Sequence, residues 1–138
     1  MYKTKYFKLN ELVNPTLYNT IDNNTLWKIF DEKLLKAIDF IREKYGPVFI
    51  NNNGLNDCGL RQYDCSIGAK YSPHKFGRAF DLHIQSIENQ QLNKEDKIKA
   101  YNRIREELFL LIDYINFEDN ITWLHIDTFN REKRIFNP

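Results

Sequence analysis

Apolar residues recur along the chain with two different periods, and the changes of period mark out its elements. Across residues 31–45, Leu34, Leu35, Ile38 and Ile41 fill one face of a 3.6-residue repeat, and Gly46-Pro47 follows as a stop, so the spacing predicts a helix. The apolar run Val48, Phe49, Ile50 predicts a short buried strand leading into the turn-forming Asn51-Asn52-Asn53-Gly54. Residues 1–24 and 55–73 show neither period and read as irregular segment and loop. Residues 79–84 alternate, with Phe80, Leu82 and Ile84 on one side and Ala79, Asp81 and His83 on the other, which predicts a strand with one polar face. The helical period returns over residues 94–115 in Ile98, Tyr101, Leu108, Leu111, Ile112 and Ile115, with Arg103, Glu106, Glu107 and Asp113 left for solvent. Residues 121–127 alternate again, placing Trp123, His125 and Asp127 opposite Thr122, Leu124 and Ile126. Paired strands would bring the two polar faces together. The tail, with Arg131, Lys133 and Arg134, reads as a surface extension.

Length and composition narrow the class. A chain of 138 residues without repeat or linker suits one domain, and 42% hydrophobic with 14% aromatic residues is too much buried-type surface for a disordered chain. With 20 Lys plus Arg against 19 Asp plus Glu, the net charge of +1 provides no long-range field for a polyanion. Lys70, Lys75 and Arg78 fall short of a nucleic-acid footprint. No run of about 18 apolar residues occurs, and the opening MYKTKYFKLNELVNP lacks a signal-peptide core. The chain is therefore expected to be made in the cytoplasm as a soluble protein, without membrane insertion. Cys58 and Cys65 are too few for a disulfide scaffold or a multi-cysteine zinc cage; a single bridge would not persist in a reducing cytosol.

The candidate chemistry lies in Ser72-Pro73-His74-Lys75-Phe76-Gly77-Arg78-Ala79-Phe80-Asp81. A loop histidine and a strand aspartate, separated by a glycine that permits a tight turn, can meet on one cation, and both are zinc ligands at about 2.0–2.2 Å. His125, from the late alternating segment, supplies a third, and three protein ligands with one open position describe a catalytic zinc site. Spacing alone favours a blander arrangement: a loop histidine, a turn-capping aspartate and a hydrogen-bonded sheet histidine.

The pattern Ser72-x-His74-x-x-Gly77-x-Ala79-x-Asp81, with Trp123-x-His125-x-Asp127 far downstream, resembles the D-alanyl-D-alanine carboxypeptidase and L-alanyl-D-glutamate endopeptidase family of zinc peptidases, over about residues 30 to 130. It is most similar to compact phage-encoded members, endolysins among them, in which segments like Gly59-Leu60-Arg61 and Ile67-Gly68-Ala69-Lys70-Tyr71-Ser72 precede the histidine. The resemblance implies a small α+β fold with an antiparallel sheet, shared with the hedgehog signalling domain. It implies one zinc ion on His74, Asp81 and His125, and a peptidoglycan stem peptide as substrate. Arg61 is then expected to bind a substrate carboxylate or carbonyl and Ser72 to position the peptide; an ion pair with Asp57 or Asp64 is the alternative for Arg61. Such a protein would act at the cell wall after release, or as part of a virion.

One position departs from the family. An acidic residue commonly stands three before the last histidine as general base, and here Thr122 occupies it. Glu118, beside apolar Phe117, is the preferred substitute, with Asp119 next to it, both expected on the turn between the second helix and the last strand. His83 reads as a spare base or as a sheet histidine bonded to a neighbour, Asp127 as the group orienting a ligand imidazole, and Trp123 as a cleft wall or core residue. Thr122 also supports a second function: a metal-stabilised binding or virion-structural module that has lost hydrolysis.

Overall fold

The N-terminal segment is less irregular than its pattern predicts. In the computed structural model, which describes residues 1–52 and 54–137, it holds one short helix, α1 (Pro15–Thr20), and the start of a second, α2 (Asn23–Ile29). Asn53 of the predicted turn, and Pro138, lie outside the described residues. Side-chain caps start both helices, Asn14 accepting from the Thr16 amide at 2.9 Å and Asp22 from the Thr25 amide at 3.0 Å. Helices of 6 and 7 residues are too short to display a period, which is why they escape a pattern search.

Helix α3 (Glu32–Tyr45) agrees with its prediction, capped by the Asp31 carboxylate on the Lys33 amide and ended by Gly46. Its face of Leu34, Leu35, Ile38 and Ile41 is buried, each side chain contributing roughly 1.5–3 kcal/mol. Then come β1 (Val48–Phe49), β2 (Ala79–Ile84), the short helix α4 (Gln85–Glu88), α5 (Lys94–Leu111), β3 (Asn116–Glu118), β4 (Leu124–Asp127) and β5 (Ile135–Phe136). Helix α5 stops at Leu111, where Ile112 turns to an extended conformation while its amide still closes on the Leu108 carbonyl. The last alternating segment becomes a strand only from Leu124. Before it, the carbonyls of Ile121 and Trp123 accept from the buried Arg105 guanidinium of α5 at 3.0 and 2.8 Å, so they are not available to a neighbouring strand.

The fold is α+β, with a five-stranded sheet in the order β1-β2-β4-β3-β5. The sheet is mixed. Pairs β1–β2, β2–β4 and β4–β3 are antiparallel as expected, but β5 runs parallel to β3. The tail predicted as a surface extension reverses direction after β4 and passes to the far side of β3; since β3 also opposes β4, the two must run the same way. Phe80, Leu82, Ile84, Phe117, Leu124 and Ile126 point into the core with α3 and Tyr101 and Leu108 of α5, leaving the other face of β2 and β4 for polar side chains. Among the described residues no helix is long and apolar enough to cross a membrane.

Candidate metal centre

Strand register places the first two polar groups. Asp81 of β2 stands directly opposite His125 of β4, and their side chains meet with Nδ1 of His125 2.8 Å from Asp81 Oδ1. His74 arrives from a 3-10 turn, Pro73–Phe76, and its Nε2 lies 3.3 Å from Asp81 Oδ2. Ser72 caps that turn, and Gly77 ends it with φ +67. A Cβ at Gly77 would stand 2.7 Å from the Ile29 carbonyl oxygen, so both the left-handed conformation and the close approach require glycine.

The three residues are buried, and one ligand atom from each lies within 4.8 Å of the others, so the group could hold a metal ion. The surroundings select the ring nitrogens that would do so. Nδ1 of His74 donates to the Gly59 carbonyl at 3.0 Å, and Nε2 of His125 donates to Asp127 Oδ2 at 2.9 Å. Both partners only accept, so the outer nitrogen of each ring carries a proton, and the inner one, which faces Asp81, is the nitrogen that would bind a cation once its ring is neutral. The Gly59 carbonyl is fixed by a contact of its own: a Cβ at Gly59 would lie 2.0 Å from the Leu12 carbonyl oxygen, and the Leu60 amide donates to that oxygen at 2.8 Å.

Electrostatics are dominated by close pairing. Burial alone would raise the Asp81 carboxyl, but His74 and His125 outweigh it and hold it far below the usual carboxylate range. Burial pushes His125 down, yet its hydrogen bonds to Asp127 and Asp81 raise it to about 9 in the metal-free protein. Asp127 also resists burial and sits at about 2, with bonds from His125, Arg131 and Asn116. The Arg131 guanidinium carbon lies over the Phe136 ring, 3.7 Å from its centroid, and the rings of Phe136 and His125 are perpendicular with centroids 6.0 Å apart.

A cavity of about 450 Å³ opens over the three residues, walled by Arg61, Ile67, Glu118, Trp123, Arg131 and Phe136. Glu118 ends β3, rather than lying on a turn, and its Oε2 stands 3.9 Å from His125 Nδ1. Asp119 instead approaches Arg105 at 3.8 Å. Arg61 is tied to its own loop: Nε donates to the Asp57 carbonyl at 2.6 Å, Nη1 to the Ile67 carbonyl and the Ser72 hydroxyl, and Nη2 to Asp81 Oδ2 at 3.4 Å. Ser72 therefore touches both Arg61 and the His74 amide. His83 stays outside the triad, stacked on Phe49 at 5.0 Å with Nδ1 3.7 Å from Glu88. Cys58 and Cys65 are free thiols, and burial pushes Cys58 up to about 11.

Sequence reasoning misses Asn116, Arg131, Phe136 and the Gly59 carbonyl. Arg131, four residues beyond Asp127, carried a usable signal in its charge; a backbone carbonyl carries none. Comparison of the chain with protein-family models, curated proteins and solved structures returns no match.

Proposed function

We propose that this protein is a zinc-dependent peptidase acting on peptidoglycan stem peptides, of the D-alanyl-D-alanine carboxypeptidase and L-alanyl-D-glutamate endopeptidase type, with a hedgehog-like fold and a phage lytic or virion role. The observation that supports it most is the convergence of His74, Asp81 and His125, each imidazole locked by an acceptor behind it, in a cavity that also contains a carboxylate, Glu118. Two imidazole nitrogens and one carboxylate oxygen suit zinc better than magnesium or calcium, which prefer oxygen. When bound, zinc acts as a Lewis acid toward a carbonyl and activates water near neutral pH.

The protein's own groups divide the remaining work. Glu118 takes a proton from water and returns it to the leaving amine, the role for which Thr122 lacks a titratable group. Arg61 has one N–H left after its loop contacts, enough to orient a substrate carbonyl. Ser72 holds Arg61 and the His74 turn in mutual register. Thr122 favours a second reading, in which the same centre stabilises a binding or virion-structural module without hydrolysis.

Metal analysis and peptide cleavage test the proposal together. The expected result is about one zinc per chain, lost in His125→Ala, with stem-peptide cleavage that falls roughly 100-fold or more in Glu118→Gln while its zinc is retained. Zinc without cleavage would favour the binding module. Iron in place of zinc, or no metal taken up at all, would sink the peptidase.

A further inference from the structure

We propose that Arg105 of α5 is a positioning residue for the site: it braces the connection between β3 and β4 and so keeps the Glu118 carboxylate beside the inner ring nitrogen of His125. The role of Glu118 as a base rests on the peptidase reading; its placement by Arg105 does not. Glu118 and His125 lie on neighbouring strands whose pairs are Asn116 with Asp127 and Phe117 with Ile126. One step further, the same register sets Glu118 opposite His125, and Glu118 Oε2 comes 3.9 Å from Nδ1. The β3–β4 pairing stops at Phe117 and Ile126, so how closely Glu118 approaches the ring depends on how residues 119–123 are held.

Those residues belong to no helix or strand, and Asn120 takes a left-handed conformation, φ +57. Helix α5 holds them from the side. Arg105 donates from Nη2 to the Ile121 carbonyl at 3.0 Å and from Nη1 to the Trp123 carbonyl at 2.8 Å, and its Nε stands 3.8 Å from Asp119. Asn102, three residues earlier on the helix, accepts from Nε and Nη2 of Arg105 at 3.0 and 2.6 Å and donates to Asn120 Oδ1 at 3.2 Å. Asp119, Asn120, Ile121 and Trp123 are thus tied to two side chains of one helix.

The contacts call for a guanidinium in particular. Arg105 is 1% exposed, and burying its charge costs stability that an apolar side chain of similar volume would not. What the charge adds is geometry: a rigid planar fork fixes two carbonyls and the Asn102 amide relative to one another, which the ammonium of a lysine cannot do. Burial pushes the guanidinium down while Asp119 and Glu118 oppose that, so the brace also attracts the carboxylate it places.

The test uses Arg105→Lys, with Asn102→Ala as a milder variant that removes one arm of the brace and leaves a good helix former in α5. In the metal-free protein, the nuclear Overhauser contact between the Glu118 side chain and the His125 ring reads the placement; it should be lost in Arg105→Lys and weakened in Asn102→Ala. In the zinc-loaded protein, kcat for a stem tetrapeptide should fall about tenfold in Arg105→Lys and about threefold in Asn102→Ala, with KM and zinc content as in the parent. In a Glu118→Gln background neither substitution should cost further activity, since a residue acting through Glu118 has nothing left to place, whereas a general loss of structure would cost the same in both backgrounds. Should Arg105→Lys fail to fold, Asn102→Ala carries all three readings. The proposal fails if the Overhauser contact is unchanged, if kcat stays at the parent's value, or if the losses multiply with that of Glu118→Gln. A parent that binds zinc but cleaves no stem peptide would overturn the peptidase reading instead, and the Overhauser contact would still decide whether Arg105 places Glu118.

Discussion

Both ring nitrogens of His125 face carboxylates, Asp81 at 2.8 Å and Asp127 at 2.9 Å, but the two carboxylates are not equivalent. Asp127 is wholly enclosed and already accepts from Asn116, Arg131 and the Phe129 amide, so it can only hold the ring. Asp81 shares its oxygens with His74 and Arg61 at longer range, 3.3 and 3.4 Å, where a divalent ion would replace weak contacts by strong ones. Asp127→Asn should therefore lower zinc affinity about 10–100-fold, because the amide can turn its N–H toward the imidazole and reverse the tautomer. Calorimetric titration of zinc into the variant checks this, and an affinity equal to the parent's would show that Asp127 does not orient the ring. The triad was legible in the sequence through the residue types of two separated segments, Ser72-x-His74-x-x-Gly77-x-Ala79-x-Asp81 and Trp123-x-His125-x-Asp127, which together carry the family resemblance; spacing alone does not single it out. Its supports were less so: the Gly59 carbonyl has no residue identity to read, and the Arg131 contact depends on how the chain turns after β4.

Elements were legible in proportion to their length. The six residues of β2 alternate long enough to reveal both faces, and α3 covers enough turns to expose its stripe. Strands β3 and β5, of 3 and 2 residues, exist through pairing with neighbours distant in sequence, which no local pattern encodes. The 3-10 turn holding His74 is a middle case, announced by Pro73 and Gly77 at its ends. Gly77→Ala should lower stability by more than about 1 kcal/mol, since alanine is strained at φ +67 and its methyl would press on the Ile29 carbonyl. Urea unfolding measures that loss, and a parent-like midpoint would mean that the turn relaxes freely.

Across the whole molecule, protons and a bound metal would compete for one site. In the metal-free protein His125 has a folded pKa of about 9 against 6.5 for the free side chain. Its stabilising contribution is therefore fully present below pH 6.5 and is lost as pH rises through about 9. A bound cation needs the neutral ring, so metal stabilisation grows over the same range. Thermal melts should show the chelated protein losing Tm between pH 6.5 and 9, while free zinc at 100 times its Kd adds about 2.7 kcal/mol. A chelated Tm independent of pH in this window would argue that the charged His125 ring is not held by Asp127 and Asp81 together. The strand order has one more consequence, for how the molecule opens. Asp81 and His125 ride on the adjoining inner strands β2 and β4, whereas Phe136 belongs to the outermost strand on one side and β1 closes the other. Fluctuations that peel sheet margins free the short outer strands first. Phe136 can thus leave the cleft while Asp81 and His125 stay paired on the inner strands, which would separate the residence time of any bound ion from the opening of the cleft.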